Sequence, residues 1–302
     1  MEKVKYIWMD NKYLPWKEAN IHVLNHTMHY GGGVFEGIRF YETPKGPAVF
    51  RLHDHIKRLF YSASCLDMKI DYSISDLSKA TLNLIKKCQL KSGYIRPIIV
   101  YGYGKMGLNP SMATVNVIIA AWPWGSYLGD KPVKVMISKY KRIYNKSTIP
   151  DAKITGHYHN SILASLDVKK QKMDEALLLD HEGILAEGPG ENIFLIKNKT
   201  LYTPKKGSIL PGITRDTILK LANKRGIKTL QKSIKPSSIK QFDEAFFTGT
   251  AAEVTAIKSI NGHNLKSGNK TSLTNQIKQD YQKIVRGDLV LNKKWLSFIE
   301  ST

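Results

Sequence analysis

Apolar and polar residues alternate with a period of two over Tyr6–Met9 and Ala48–Arg51, which predicts short half-buried strands. The glycine run Gly31-Gly32-Gly33 reads as a tight turn between them. From His53 to Met68 the period changes. Ile56, Leu59, Phe60, Ala63 and Leu66 recur at helical spacing and predict an amphipathic helix, with Arg58 off its main apolar stripe. A second helix is predicted from Ser73 or Ser75, either able to cap it, to Leu90. Tyr94–Tyr101 and Thr114–Ala121 read as two strong strands. Turn formers then crowd into Pro123-Trp-Gly-Ser-Tyr-Leu-Gly-Asp-Lys-Pro132, which marks a domain junction. The expected division is a small N-terminal α/β domain over residues 1–124, an interdomain loop over 125–132 and a larger α/β domain over 133–302. In the latter, strands are expected at Val133–Ser138, Glu175–Asp180, Asn192–Ile196 and Ala245–Thr248, and helices at Asn160–Lys172, Thr214–Arg225 and Leu273–Arg286. The mixture is α/β without the regular alternation and GxGxxG turn of a dinucleotide-binding domain.

Composition narrows the class. A chain of 302 residues exceeds what one core usually serves, and 42% apolar with 24% charged residues argues against a disordered, fibrous or membrane-spanning protein. The apolar run Val115–Trp124 is too short to cross a bilayer, and the first ten residues lack the apolar core of a signal peptide. Cys65 and Cys88 sit in helical apolar patterns without ligand spacing, so buried free thiols in a reducing cytoplasm are expected. The net charge of +21 comes from lysines spread along the whole chain. Without an arginine-aromatic cluster this favours small anionic ligands over specific nucleic-acid binding.

Three segments can carry chemistry. Leu210-Pro-Gly-Ile-Thr-Arg-Asp-Thr-Ile-Leu219 leads a glycine and Thr214, a capable N-cap, into a helix. A helix start presents N–H groups and a positive dipole end to an anion, so this is either a phosphate cradle or simply a turn and a cap. Phe247-Thr-Gly-Thr-Ala-Ala-Glu253 places small hydroxyl residues and glycine after a strand, a composition that admits a ligand close to the main chain. Ala186-Glu-Gly-Pro-Gly-Glu-Asn192 is either a site with two acidic residues or a solvated hairpin turn. Nothing in the spacing singles out Lys153, and the pairs His53/His55 and His157/His159 lack a complete metal-ligand set, so they read as ordinary polar residues and no metal is expected.

In order, His29-Tyr-Gly, Val34-Phe-Glu-Gly-Ile-Arg39, His55-Ile-Lys-Arg-Leu59, Tyr94-Ile-Arg-Pro97, Ala152-Lys153 with Tyr158, Glu187-Gly-Pro-Gly-Glu-Asn-Ile-Phe194, Leu210-Pro-Gly-Ile-Thr-Arg215 and Thr248-Gly-Thr-Ala-Ala-Glu253 resemble the branched-chain aminotransferases. These are fold-type IV enzymes that depend on pyridoxal 5′-phosphate, and the resemblance runs from about Tyr6 to about Gly287. It implies two mixed α/β domains with the active site at their interface.

The resemblance also implies roles. Lys153 would be the catalytic lysine that binds the cofactor covalently and shuttles the proton. Glu187 would hold the pyridine nitrogen protonated, so that the ring is an electron sink. Arg58, Ile213, Thr214 and Thr250 would hold the phosphate, and Tyr158 would face the phenolic oxygen. The substrate carboxylate would lie on the main-chain N–H groups of Thr250 and Ala251, assisted by Tyr94 and Arg96. Tyr30 (from a partner subunit), Phe35, Gly37, Trp124 and Tyr158 would line the side-chain pocket, with Arg39 receiving the distal carboxylate of glutamate. The implied reaction is reversible, ping-pong transfer of an amino group from L-leucine, L-isoleucine or L-valine to 2-oxoglutarate by a homodimer or a hexamer. D-amino-acid transaminases and aminodeoxychorismate lyases share the scaffold and remain rivals. A basic nucleic-acid-binding protein without catalysis is a third, resting on charge alone.

Overall fold

A computed structural model describes residues 3–125 and 127–299, which form two compact units. The first comprises Met1–Gly125, Ala152–Gly156 and Val285–Thr302, and the second Ser126–Asp151 and His157–Ile284. Sequence patterning suggests a single division, with residues 125–132 as the linker. Two later segments nevertheless pack with the first unit, because Ile154 bridges Val34 and the strand Leu296–Phe298 pairs with Ala48–Phe50. Such long-range pairing leaves no trace in local periodicity.

The first unit is built on β1 (Tyr6–Met9), β2 (Lys12–Pro15), β3 (Gly33–Phe35), β4 (Ile38–Tyr41), β5 (Ala48–Phe50), β6 (Gly93–Tyr101) and β7 (Val115–Trp122). The sheet order is Leu296–Phe298, β5, β4, β6, β7, β1, β2, with β3 also on β6, and all pairs are antiparallel. The unit carries α1 (His26–Tyr30), α2 (Leu52–Ser64) and α3 (Ile74–Lys87). Ser73 caps α3 in a capping box with Asp76, which decides between the two serines. Leu52, Ile56 and Leu59 of α2 and Leu77, Leu84 and Ile85 of α3 are buried in one core with Ile38, Ile95, Ile99 and Ile119 of the sheet.

The second unit contains β8 (Val133–Lys141), β9 (Glu175–Leu179), β10 (Asn192–Lys197), β11 (Thr200–Thr203), β12 (Thr229–Gln231), β13 (Glu244–Gly249), β14 (Glu253–Ile260) and β15 (His263–Asn264). Their order is β12, β11, β10, β13, β14, β8, β9, with β15 on β14, and the β11/β12, β14/β8 and β8/β9 pairs are parallel. The helices are α4 (His159–Lys170), α5 (Ile213–Lys224) and α6 (Leu273–Arg286). α4 makes the crossover between parallel β8 and β9, and its Ala164 and Val168 pack on Ala176 and Leu178. Cys65 and Cys88 are free, as expected, but half-buried. No helix of the described residues is long and apolar enough to cross a membrane.

Candidate functional site

In the first unit, Lys153 lies on the segment Ala152–Gly156, which hydrogen bonds tie to α2, to β3 and to the end of α1. The Lys153 N–H donates to Ser62 Oγ (2.9 Å), its carbonyl accepts from Phe35 N–H (3.1 Å), and Gly156 N–H donates to the Gly31 carbonyl (3.0 Å). Gly31 has φ +70° and caps α1, and a Cβ there would meet the Gly156 main chain at 3.0 Å, so glycine is required on both counts. The amine of Lys153 stands 4.7 Å from the centre of the Phe35 ring, and the Arg96 guanidinium 4.9 Å from the same centre. Two cationic groups thus converge on one aromatic ring.

Apart from Tyr30, the remaining expected substrate residues of this unit form a continuous group. Arg96 Nη2 donates to the Tyr94 hydroxyl (3.4 Å), while Arg96 Nε is buried with no hydrogen-bond partner among the described residues. The Tyr94 ring meets the Trp124 ring edge-on at 4.3 Å. Arg39, 8% exposed on β4, stacks on Trp124 at 5.9 Å and donates to the Gly125 carbonyl at 2.6 Å. Gly37 is where the Tyr94 hydroxyl crosses the main chain, and a Cβ there would stand 2.7 Å from Tyr94 Cζ. Tyr30, at the end of α1, is 45% exposed and stacks on His26 (4.7 Å) rather than joining this group.

Arg58 is tied to a residue without an assigned role. Its Nε and Nη2 donate to Oε1 (2.6 Å) and Oε2 (2.9 Å) of Glu36, whose Oε2 also accepts from His55 Nδ1 at 2.7 Å. Glu36 is fully buried and His55 is 1% exposed, so His55 is not the ordinary polar residue that its spacing suggests. Burial opposes ionisation of Glu36, but Arg58 and His55 outweigh it and hold the carboxyl well below the usual carboxylate range. Burial pushes the His55 imidazole down, against the pull of Glu36.

The second unit gathers another group around Glu187, which is 5% exposed. Its Oε1 accepts from Arg142 Nε (2.5 Å), its Oε2 from Asn192 Nδ2 (2.9 Å), and both oxygens face the Leu210 N–H (3.1 Å). Glu191 and Asn192 are 4% exposed, which rules out the solvated hairpin turn for this segment. Asn192 also donates to the Leu210 carbonyl (2.9 Å) and occupies the space that a Cβ on Gly212 would need. The start of α5 is thereby held beside Glu187. Gly212, not Thr214, is the N-cap, and no side chain caps the helix, whose first two residues are Ile213 and Thr214. The chain can enter this closely only as glycine, so the cap sits two residues earlier than a hydroxyl-based reading places it.

Thr250 and Ala251 lie in the turn between β13 and β14, where Gly249 faces the Gly190 carbonyl and Glu191. Thr248 pairs with Asn192 across the strands, and its hydroxyl is buried without a partner among the described residues. Tyr158 ends the 3₁₀ turn Thr155–Tyr158 and is half-buried. Glu36, Ser62, Arg142 and Asn192 all escape the sequence reading of the site. Glu36 and Asn192 stand inside quoted motifs, so position was available as a signal, whereas Ser62 and Arg142 offer none. Among the described residues no group of three or more His, Cys, Asp or Glu could hold a metal ion.

Residues 33–260 match the family model "Amino-transferase class IV". A branched-chain-amino-acid aminotransferase of Pseudomonas aeruginosa is 43% identical, with 97% of each chain covered. The crystal structure of the Escherichia coli branched-chain amino acid aminotransferase superposes with a TM-score of 0.96 at 38% identity, covering 99% of this chain and all of that one. The pyridoxal-phosphate form of the branched-chain amino acid aminotransferase from Thermobaculum terrenum gives a TM-score of 0.94 at 31% identity, with both chains fully covered.

Proposed function

The chain belongs to the class IV amino-transferases, a fold-type IV family that depends on pyridoxal 5′-phosphate, and from this premise we propose that it transfers the amino group of L-leucine, L-isoleucine or L-valine to 2-oxoglutarate. The carrying observation is the aromatic, largely apolar group Phe35, Tyr94 and Trp124, with Arg96 Nε buried and unpartnered beside it. An apolar side chain suits the rings, and a carboxylate suits the arginine.

The donor sets fit the cofactor. Glu187, held by Arg142, Asn192 and Leu210, presents a fixed carboxylate for a protonated pyridine nitrogen. The start of α5, with no side-chain cap, suits a phosphate at Ile213 and Thr214, with Thr250 and Arg58 as further donors. Tyr158 is assigned to the phenolic oxygen. When bound, the cofactor supplies an electron sink that stabilises negative charge on the substrate α-carbon. Lys153 is assigned the attachment of the cofactor and the movement of the α-proton. Thr250 and Ala251 main-chain N–H groups, with Tyr94 and Arg96, are assigned the substrate carboxylate. Phe35, Gly37, Trp124 and Tyr158 line its side chain, and Arg39 receives the distal carboxylate of glutamate.

We further propose a homodimer in the cytoplasm, in which Tyr30 serves the partner's site. Exposed Val23 (68%), Met28 (67%) and Tyr30 near α1, and Ile162 (57%) and Leu166 (54%) on α4, are apolar surface that a second copy would cover. The two free thiols suit a reducing compartment.

The test is the visible absorption of the loaded protein, read with L-leucine, D-alanine and L-lysine in separate samples. Loss of the visible band with L-leucine alone is expected, and a response to D-alanine instead would overturn the substrate assignment. Lys153→Ala is expected to bind the cofactor only non-covalently and to lose nearly all turnover. Normal turnover in that variant would sink the role of Lys153.

A further inference from the structure

A fully buried carboxylate is costly unless it is paired, and Glu36 is paired unusually well. Arg58 donates to it through Nε and Nη2, His55 through Nδ1, and the Gly37 N–H approaches Oε2 at 3.3 Å. Its main chain is fixed as well, because the Glu36 N–H donates to the Pro97 carbonyl at 2.9 Å. The side-on pairing occupies one edge of a rigid planar guanidinium, and this fixes the direction of the donors on the opposite edge.

The neighbours of Glu36 connect it to the lysine segment. His55, Arg58 and Ser62 are spaced by three and four residues, so they share one face of α2. Ser62 accepts the Lys153 N–H, and Phe35, adjacent to Glu36, donates its N–H to the Lys153 carbonyl. One face of one helix therefore sets both Arg58 and the main chain at Lys153.

Resting on the assignment of Arg58 to the cofactor phosphate, we propose that Glu36 is a positioning residue for that phosphate, holding the Arg58 guanidinium in its binding direction with His55 as a second support. An alternative role, simple charge balance, has the opposite sign. If Glu36 only offset the charge of Arg58, removing its charge would strengthen the attraction for a phosphate. If it aims Arg58, removing it weakens binding, because the arginine must be ordered anew each time.

The experiment is equilibrium dialysis of the full-length protein with pyridoxal 5′-phosphate and, separately, with pyridoxal, which lacks the phosphate. The ratio of the two affinities reports phosphate recognition alone. Glu36→Gln keeps the shape but turns an amide N–H₂ toward the donors of Arg58 and His55. The expected result is a phosphate preference lowered about tenfold, equivalent to about 1.4 kcal/mol, with pyridoxal affinity within about twofold of the parent. An unchanged or raised preference, or equal losses for both ligands, would overturn the proposal. Glu36→Asp keeps the charge but is one methylene shorter, so positioning predicts a lowered preference and charge balance predicts none. This variant also answers the question if the glutamine variant does not fold. Arg58→Gln separates the two levels. If it lowers the preference while neither Glu36 variant does, the positioning idea fails and the phosphate assignment stands, and if Arg58→Gln leaves the preference intact, the assignment itself fails.

Discussion

Gly37→Ala adds a single methyl group where the Tyr94 side chain crosses the main chain. The new Cβ would lie 2.7 Å from Tyr94 Cζ, about 0.7 Å inside ordinary van der Waals contact, with the hydroxyl closer still. The ring has little room to yield, being 5% exposed and packed on Trp124 at 4.3 Å and Trp122 at 5.4 Å. Overpacking of this kind costs about 1–3 kcal/mol. Displacing the ring also moves the hydroxyl away from Arg96, the pair assigned to the substrate carboxylate. If that cost falls on the bound transition state, kcat/KM for L-leucine drops roughly ten- to a hundredfold. Tyr94 is assigned no contact with the cofactor, so cofactor affinity should stay within about twofold of the parent. Steady-state kinetics with L-leucine and 2-oxoglutarate, beside a cofactor titration followed by absorbance, measures both. An unchanged kcat/KM would refute the role given to Tyr94 and Arg96, and a parallel loss of cofactor would show that the methyl acts beyond Tyr94.

Three further outcomes are expected. Glu187→Ala should cut turnover by roughly 10²–10³-fold, as loss of a preorganised electrostatic partner does, and should destabilise the fold by about 3–5 kcal/mol because Arg142 is left buried without its carboxylate. Chemical denaturation and single-turnover rates read the two effects separately, and a fully active variant would contradict the assignment. Burial raises the Glu175 carboxyl to about 7, so its folded-state value lies above its unfolded one and its contribution is lost as pH climbs from about 4.5 to about 7. Glu175→Gln should therefore gain about 3 kcal/mol over the parent at pH 8 and little at pH 4.5, and the same gain at both pH values would show another cause. His55 has the opposite sign: its value is depressed on folding, so stability is complete above about pH 6.5 and declines as pH falls below it. His55→Gln should flatten that decline in urea titrations at stepped pH, and an unaltered slope would place the titration elsewhere.

The long elements were legible because their patterns are local. α3 follows its apolar spacing and its serine cap, and β6 and β7 appear as apolar runs with ends displaced by no more than one residue. Among the short strands, β1 and β5 show in the period of two, whereas β3 and β4, equally short, do not, and they form because β6 offers a partner from far along the chain. The candidate site residues divide along the same line. Motif order alone brings Lys153, Glu187 and the start of α5 forward as candidates, whereas Glu36, Ser62 and Arg142 enter through burial and pairing that one sequence does not display. The basic charge pointed toward no site of its own.

The strand Leu296–Phe298 has a consequence for how the protein is made. It is the outermost strand on the β5 side of the first sheet, and just before it Trp295 accepts the Arg51 N–H at its carbonyl and lies under the Arg51 guanidinium at 4.6 Å. The first unit therefore draws this strand from residues made only after the whole of the second unit. Synthesis in order from the amino terminus leaves β5 as an open edge until residue 298 has been made, a period in which another nascent chain can pair with it. A nonsense codon near residue 290 would make that temporary exposure permanent, although every residue assigned to the chemistry would already have been translated.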